Sequence, residues 1–216
     1  FVTNVKGEVW HFDGATWAIA FTLPQTVTNG ANDVWGIGPG NVYVAGDDGK
    51  VYHFAGGTWT PESVTGVALD KVWGSSSSDV WAFGSGSAFH RNGATWDSVP
   101  IGGAVISVSG TGPSDAWAVV GGAPNQLEHW DGTAWTVVDS HPSTEVLAVA
   151  AVAPNDVHVS ARQGRMEHWN GSGWTESTVP TLADITYLQF TAADDVVGAS
   201  ERDLVHFNGV AWANIR

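Results

Sequence analysis

The sequence predicts an all-β fold, a β-propeller of four-stranded antiparallel blades, on three observations. A phrase in which His is followed by Gly three residues later and by Trp six residues later occurs six times. Successive copies of this His are 42, 37, 39, 39 and 38 residues apart. Each repeat contains short apolar segments bounded by turn-forming residues, without a sustained helical period. Repeats of about 40 residues that hold four short strands are typical of propeller blades.

Each repeat presents its strands in a fixed order. Phrases such as Val34–Gly36 and Val72–Gly74 mark the first strand, and Asp79–Trp81 is an example of the phrase that marks the second. The third strand carries the repeated His and runs into Asp-Gly or Asn-Gly pairs. Since these pairs tolerate φ > 0 in a tight hairpin, the chain turns directly into a fourth strand that bears the closing Trp. This order predicts a four-stranded meander.

The blade count rests on the N-terminus, because there are six hairpin phrases and only five first-strand phrases. Residues 1–19 supply at most the second to fourth strands of a blade. We expect one domain over residues 1–216 with six angular positions and an incomplete first blade; a five-bladed ring with an extra N-terminal hairpin is the alternative. The expected repeat units are approximately 1–19, 20–61, 62–98, 99–137, 138–176 and 177–216.

The composition excludes several classes of partner. With 22 acidic and 8 basic residues the formal net charge is −14, which is the wrong sign for nucleic acids and for anionic membrane surfaces. The chain has no cysteine, so disulfides and thiolate metal sites are excluded. No apolar run approaches the roughly 20 residues of a membrane-spanning helix. We expect no nucleic-acid partner, no membrane insertion and no cofactor.

The repeated His and Trp residues are interpreted as structural. An imidazole that recurs in every blade is expected to be buried and hydrogen-bonded to a neighbouring strand or loop. The closing Trp residues suit the core between blades, where bulky aromatic side chains are needed. The positions are His11, His53, His90, His129, His168 and His206, with Trp17, Trp59, Trp96, Trp135, Trp174 and Trp212.

No catalytic or metal site is expected. Equivalent His residues lie a whole blade apart, whereas ligands of one zinc ion lie about 2.0 to 2.3 Å from it. Acidic residues such as Asp13 and Asp131 lie in turns and lack the dense spacing of a calcium loop, so they are expected to cap turns. No nucleophile elbow, phosphate-binding loop or clustered pair of carboxylates is present, and we expect a protein that is not an enzyme.

Ligand-binding candidates are sought where the repeats differ. The residues beside the repeated His combine aromatic rings with carboxylates, which suits a saccharide platform. These candidates are Trp10, Tyr52, Glu128, Trp130, Glu167 and Trp169. Variable hairpins between the second and third strands also bring Arg162, Arg165 and Arg202 to adjacent blades, which suggests a local basic spot.

The repeat resembles that of known extracellular propellers. The segment Val72–Gly84 and the hairpin that follows it resemble the Trp-Gly-Ser-Ser-x-x-Asp-Val-Trp repeat of propeller proteins and lipoproteins of myxobacteria and related bacteria. This resemblance covers nearly the whole chain and implies a bacterial protein outside the cell or at its surface. Hairpins such as Glu128–Trp135 and Glu167–Trp174 are also similar to those of propeller lectins, which bind sugars between blades.

These observations lead to an expected function with one alternative. We expect a non-enzymatic module that binds carbohydrate at repeated sites between blades, where several tethered sites raise avidity. The alternative is a protein-interaction or structural cell-surface propeller without a small ligand. Because an unpaired inner edge of the first blade invites strand pairing between copies, a homo-oligomer is also expected.

Overall fold

The computed structural model describes residues 1–24, 30–93, 95–138, 145–192 and 194–215. These residues form two compact units, Phe1–Ala104 and Val105–Arg216, with three β-sheets in each. The described residues contain no α-helix; one short 3₁₀ helix spans Arg162–Gly164. The expectation of one domain over residues 1–216 stays a prediction.

The first unit contains sheets one to three, which are built from consecutive strands. Sheet one has the order β1-β2-β3, sheet two β4-β5-β6-β7 and sheet three β8-β9-β10-β11. The strands are β1 (Val2–Thr3), β2 (Glu8–Phe12), β3 (Trp17–Thr22), β4 (Ala31–Gly38), β5 (Asn41–Gly46), β6 (Lys50–Ala55), β7 (Thr58–Ser63), β8 (Lys71–Ser76), β9 (Asp79–Gly84), β10 (Ser87–Asn92) and β11 (Thr95–Val99).

The second unit contains sheets four to six, again in sequence order. Sheet four is β12-β13-β14-β15, sheet five β16-β17-β18-β19 and sheet six β20-β21-β22-β23. The strands are β12 (Val105–Gly112), β13 (Asp115–Val120), β14 (Gln126–Trp130), β15 (Trp135–Val137), β16 (Val146–Ala153), β17 (Asp156–Ala161), β18 (Arg165–Trp169), β19 (Trp174–Thr178), β20 (Tyr187–Ala192), β21 (Asp195–Ala199), β22 (Leu204–Phe207) and β23 (Trp212–Asn214).

The predicted meander is confirmed. All strand pairs are antiparallel, and in five sheets the four strands follow one another in the predicted order. The incomplete first blade is also confirmed, because sheet one has three strands and β2 and β3 carry the third- and fourth-strand phrases. The glycines of the six hairpin phrases have φ between 58° and 102°, which is the left-handed region that their turns require.

Asp13 and Asp131 cap their hairpins as predicted, and Asn residues cap two further hairpins. Oδ1 of Asp131 accepts hydrogen bonds from the backbone N–H groups of Thr133 and Ala134, at 2.8 and 3.0 Å. Asp13, Asn170 and Asn208 make the equivalent pair of bonds in their own turns. Each side chain thereby satisfies backbone donors that the two-stranded ladder leaves free.

Neighbouring sheets within each unit bury aromatic and β-branched side chains between their faces. In the first unit, Phe21 of sheet one stacks on Trp59 of sheet two, with ring centroids 4.8 Å apart. Tyr43 of sheet two belongs to a buried cluster with Val72 and Val80 of sheet three. Because a middle sheet is covered on both faces, its strands lack a polar face.

Candidate functional site

In five sheets the repeated His contacts a side chain of its own sheet. In five sheets the imidazole Nε2 lies within hydrogen-bond distance of Oδ1 of the residue that opens the second strand. The pairs are His53–Asn41 at 3.2 Å, His90–Asp79 at 2.6 Å, His129–Asp115 at 2.7 Å, His168–Asp156 at 2.8 Å and His206–Asp195 at 2.6 Å. The rings are half-buried instead of buried, and His11 stacks on Phe1.

These contacts lower the pKa of several carboxyl groups. Burial raises the pKa of Asp79, but hydrogen bonds from His90 and Ser75 outweigh it, and the pKa lies below its usual range. The same balance lowers the pKa of Asp115, with His129 as the main hydrogen-bond donor. The ionised carboxylate is therefore the form that the folded sheets stabilise.

A ring two residues after this Asp or Asn packs against the repeated His. Tyr43 and Trp81 stack on the imidazoles of their sheets with centroids 4.0 and 4.2 Å apart, and Trp117 lies 4.3 Å from His129 in a tilted arrangement. In sheet five the equivalent residue is His158, which stacks on His168 at 4.4 Å. In sheet five, therefore, two imidazoles stack on each other where sheets two, three and four pair an imidazole with a phenol or an indole.

His158 is not among the site residues predicted from the sequence. Its side chain is 2 % exposed, and its Nε2 lies 3.2 Å from Oδ1 of Asp156. Burial and the neighbouring His168 lower the pKa of His158 to about 4. Asp156, His158 and His168 bring three potential ligand atoms within 4.8 Å of one another.

Two equivalent grooves lie between neighbouring sheets of the second unit. The groove between sheets four and five has a volume of about 630 Å³ and is lined by Asp115, Trp117, His129 and Trp169. The groove between sheets five and six has a volume of about 510 Å³. At the positions equivalent to Asp115, Trp117, His129 and Trp169, this second groove is lined by Asp156, His158, His168 and Phe207, in that order.

Most of the predicted saccharide platform is buried. Tyr52 is 1 %, Glu128 2 %, Trp130 6 % and Glu167 0 % exposed. The Tyr52 hydroxyl donates to Asp48 at 2.7 Å, and the Trp130 indole N–H donates to the carbonyl of Pro113 at 3.0 Å. Neighbouring protein atoms cover these four side chains, so they do not form the exposed platform that the prediction requires.

Two of the predicted sugar-binding residues remain accessible. Trp10 and Trp169 are half-buried, and Trp169 lines the groove between sheets four and five. The burial of the closing Trp residues also varies. Trp135 and Trp212 are each 8 % exposed and belong to the core, whereas half of Trp17 is exposed.

Two of the three arginines of the predicted basic spot, Arg162 and Arg165, are paired with acidic side chains. Arg162 donates to Asp184 through Nη1 and to Glu145 through Nη2, both at 2.7 Å. Arg165 pairs with Glu176 on the adjacent strand. Since each of these two guanidinium groups has an acidic partner, they do not form a positively charged surface for an anionic ligand.

Sheet one presents an apolar face and an open edge. By strand register, Phe12 lies opposite Trp17 and Trp10 lies opposite Ile19, so these four side chains share one face. Phe12, Trp17 and Ile19 are 44 %, 50 % and 48 % exposed. We call this surface the Trp17 face. β3 is an edge strand of its sheet, and all of its residues except the half-buried Phe21 are exposed.

The sheets define the class of protein as a β-propeller, and comparison with solved structures agrees. A structure described as "YCF48 bound to D1 peptide" matches with a TM-score of 0.78 and 12% identity, over 98% of this chain and 75% of that chain. The "WD40 beta propeller domain of Doa1" matches with a TM-score of 0.72 and 11% identity, over 99% and 76%.

A chain of the "Mitotic Checkpoint Complex" matches with a TM-score of 0.72 and 14% identity, over 97% of this chain and 72% of that chain. At such low identities the likeness establishes the fold alone, and the predicted propeller class is confirmed. No family model and no curated protein matches the sequence. Among the described residues, no helix is long and apolar enough to cross a membrane.

Proposed function

We propose that this chain is a non-enzymatic interaction module that binds an extended segment of another protein along β3. The observation that carries the proposal is the difference between β3 and the outer strands of the other sheets. β3 has the sequence Trp-Ala-Ile-Ala-Phe-Thr, six residues without charge or proline. An exposed apolar edge strand of this kind is a template for pairing with another chain.

The other described outer strands carry features that block such pairing. β7 contains Pro61, β11 contains Asp97 and β19 contains Glu176. β15 and β23 are only three residues long. Proline, charge and short length are the usual means by which proteins protect sheet edges. Five sheets are therefore protected in these ways. β3 carries a β-bulge at Ala20 but no proline or charge, and we infer that its regular part, from Trp17 to Ile19, accepts an added strand.

The Trp17 face supplies side-chain contacts beside this edge. A strand that pairs with β3 places every second side chain on the face formed by Trp10, Phe12, Trp17 and Ile19. Backbone hydrogen bonds to β3 then provide affinity, while the exposed rings select apolar side chains. Contiguous exposed apolar surface of this kind marks interaction sites in soluble proteins.

The charge of the chain favours a partner protein over a second copy. At a net charge of −14, two copies repel each other, whereas a neutral or basic segment is attracted. The expected ligand is an extended, neutral or basic segment with apolar residues at alternate positions. The solved YCF48 propeller, which has the same fold, is described as bound to a peptide.

Peptide selection tests this proposal. A phage-displayed library of random 12-residue peptides is selected on the immobilised chain, and binding of the enriched peptides is measured by fluorescence anisotropy. We expect alternating apolar sequences whose affinity falls at least tenfold in an Ile19→Glu variant. This substitution places on β3 the residue that protects β19 at the equivalent position, Glu176.

The matched control is Ser98→Glu, which adds the same charge at the equivalent position of β11. This variant is expected to bind the peptides as the unmodified chain does. Amide hydrogen exchange should show protection of β3 on binding. Equal binding by the Ile19→Glu variant, or enrichment of no peptide, would overturn the proposal. Concentration-dependent dimerisation that Ile19→Glu abolishes would show instead that a second copy occupies the edge.

Carbohydrate binding is kept as a second candidate, supported by the groove between sheets four and five. Trp169 offers a half-buried ring there, beside the carboxylate of Asp115 and the imidazole of His129. An aromatic ring beside hydrogen-bonding groups suits a saccharide. A glycan array probed with the multimerised chain tests this candidate, and loss of any binding in a Trp169→Ala variant would place the sugar in this groove.

The proposed location is outside the cell or at its surface in a bacterium. It rests on the resemblance of Val72–Gly84 and of the hairpin phrases to extracellular propeller repeats. Labelling of intact cells with a membrane-impermeant reagent tests it, since an intracellular chain remains unlabelled.

A further inference from the structure

We propose that Asp156, His158 and His168 form a binding site for one divalent transition-metal ion, with Zn²⁺ as the expected ion. The three side chains lie on adjacent strands of sheet five, since His158 of β17 is the register partner of His168 of β18. Two imidazole nitrogens and one carboxylate oxygen are a donor set that zinc commonly uses.

The distances between the ligand atoms are close to those around a bound zinc ion and slightly shorter. Four ligands placed about 2.1 Å from a zinc ion in a tetrahedron lie about 3.4 Å from one another. Asp156 Oδ1 lies 3.2 Å from His158 Nε2 and 2.8 Å from His168 Nε2. An ion therefore requires small displacements of the ligands, together with a tilt of the two stacked rings that brings their nitrogen lone pairs together.

The nitrogen of His158 supports a ligand role independently of these distances. The His158 side chain is 2 % exposed, and its Nε2 makes no hydrogen bond with the described residues despite its proximity to Asp156. A buried polar atom without a hydrogen bond is costly in a folded protein. Coordination of an ion by this nitrogen would remove that cost.

The other described sheets do not offer this arrangement. The position of His158 is occupied by Tyr43, Trp81 and Trp117 in sheets two, three and four, where a single His faces a phenol or an indole. The prediction that no metal is bound rests on the distance between equivalent His residues of different blades. The proposed site instead joins two His residues of the same blade.

The groove between sheets five and six gives an ion access and a free coordination position. It is lined by all three proposed ligands and by Phe207 and Trp212 on the facing sheet. Three protein ligands leave the fourth position of a tetrahedral ion to water or to a group of a bound molecule. The site therefore has the open coordination expected where an ion contacts a ligand.

Metal titration of the full chain tests the proposal. Bound metal is first removed with EDTA, and the EDTA is then removed by dialysis. The metal-free protein is titrated with Zn²⁺ in a calorimeter. Co²⁺ serves as a spectroscopic probe, because its visible absorption reports coordination by nitrogen and oxygen ligands. We expect one ion per chain and a rise in the thermal unfolding temperature with Zn²⁺ concentration.

Two variants and one control decide the result. His158→Trp introduces the residue found at the equivalent position of sheet four, and His158→Gln is the smaller alternative if the indole disturbs folding. Each is expected to weaken Zn²⁺ binding at least 100-fold. His129→Gln removes a repeated His outside the site and should leave one ion bound. Absence of saturable binding, or binding that persists in both His158 variants, would overturn the proposal.

Discussion

Replacement of Glu62 by Gln tests how the second and third sheets are joined. Glu62 lies on β7 and accepts three hydrogen bonds from sheet three. Its Oε2 accepts from Arg91 Nε at 2.9 Å and from Trp96 Nε1 at 3.0 Å, and its Oε1 accepts from Arg91 Nη2 at 3.1 Å. The side chains of Glu62 and Arg91 are 18 % and 17 % exposed. The Glu62 carboxylate therefore joins two sheets through a largely buried, bidentate ion pair with Arg91.

The expected loss of stability follows from this geometry. Gln has the shape of Glu but only one acceptor oxygen, so one Arg91 donor is left facing an amide N–H. The guanidinium group also loses its counter-charge. Breaking a fully buried ion pair costs about 3–5 kcal/mol, and an exposed pair contributes about 0–1 kcal/mol. At the observed exposure we expect Glu62→Gln to lower the free energy of unfolding by about 2–3 kcal/mol.

The assay is urea unfolding followed by circular dichroism, with Glu176→Gln as the matched control. Glu176 also lies on a fourth strand and pairs with an arginine, but Glu176 and Arg165 are 38 % and 41 % exposed. We expect the control to lose about 0.5 kcal/mol or less. Equal losses in the two variants, or a loss below about 1 kcal/mol for Glu62→Gln, would refute the reasoning.

Two further predictions concern close packing and acid stability. Gly84→Ala should destabilise the chain by about 3 kcal/mol or more, because the added Cβ would lie 2.1 Å from the carbonyl oxygen of Ala68. The control is Gly38→Ala, whose added Cβ meets no atom within 4 Å and which should change stability by less than about 1 kcal/mol. Urea midpoints of the two variants check this. The pKa values of Asp79 and Asp115 are lowered by folding, so their stabilisation is complete above the unfolded Asp pKa of about 3.9 and is lost as the pH falls through the folded values. These two groups should therefore leave the urea midpoint unchanged between pH 7 and pH 5 and lower it at pH 3, and the fall at pH 3 should be smaller in a variant with Asn at both positions.

Local phrases in the sequence were sufficient to predict the strands and hairpins. The Gly of each hairpin phrase and the capping residues Asp13 and Asp131 act within three residues of themselves, so spacing alone identifies them. The pairing of His90 with Asp79 could also have been predicted, because the two residues lie only 11 residues apart on the two strands of one hairpin.

Properties that depend on the neighbouring sheet were not accessible in the same way. Glu128 and Glu167 are predicted from the sequence as part of a saccharide platform, yet both are buried. The contact between Glu62 and Arg91 spans 29 residues and two sheets, and no local pattern marks it. His158 occupies the place in its second strand that Trp81 has in the phrase Asp79–Trp81, but its alignment with His168 depends on strand register, which the structure supplies.

The positions where one repeat departs from the others indicate where binding should be sought. A repeated residue such as His129 serves the packing that every blade requires, so its recurrence carries no information about a ligand. His158 replaces a ring that is phenolic or indole in three other sheets, and β3 lacks the proline, charge or short length that protects the other outer edges. Each departure has a cost. In one case a buried nitrogen has no hydrogen bond to any described residue, and in the other an apolar edge strand is exposed. Binding of an ion or a strand removes that cost, which is the physical reason to expect ligands at these two places.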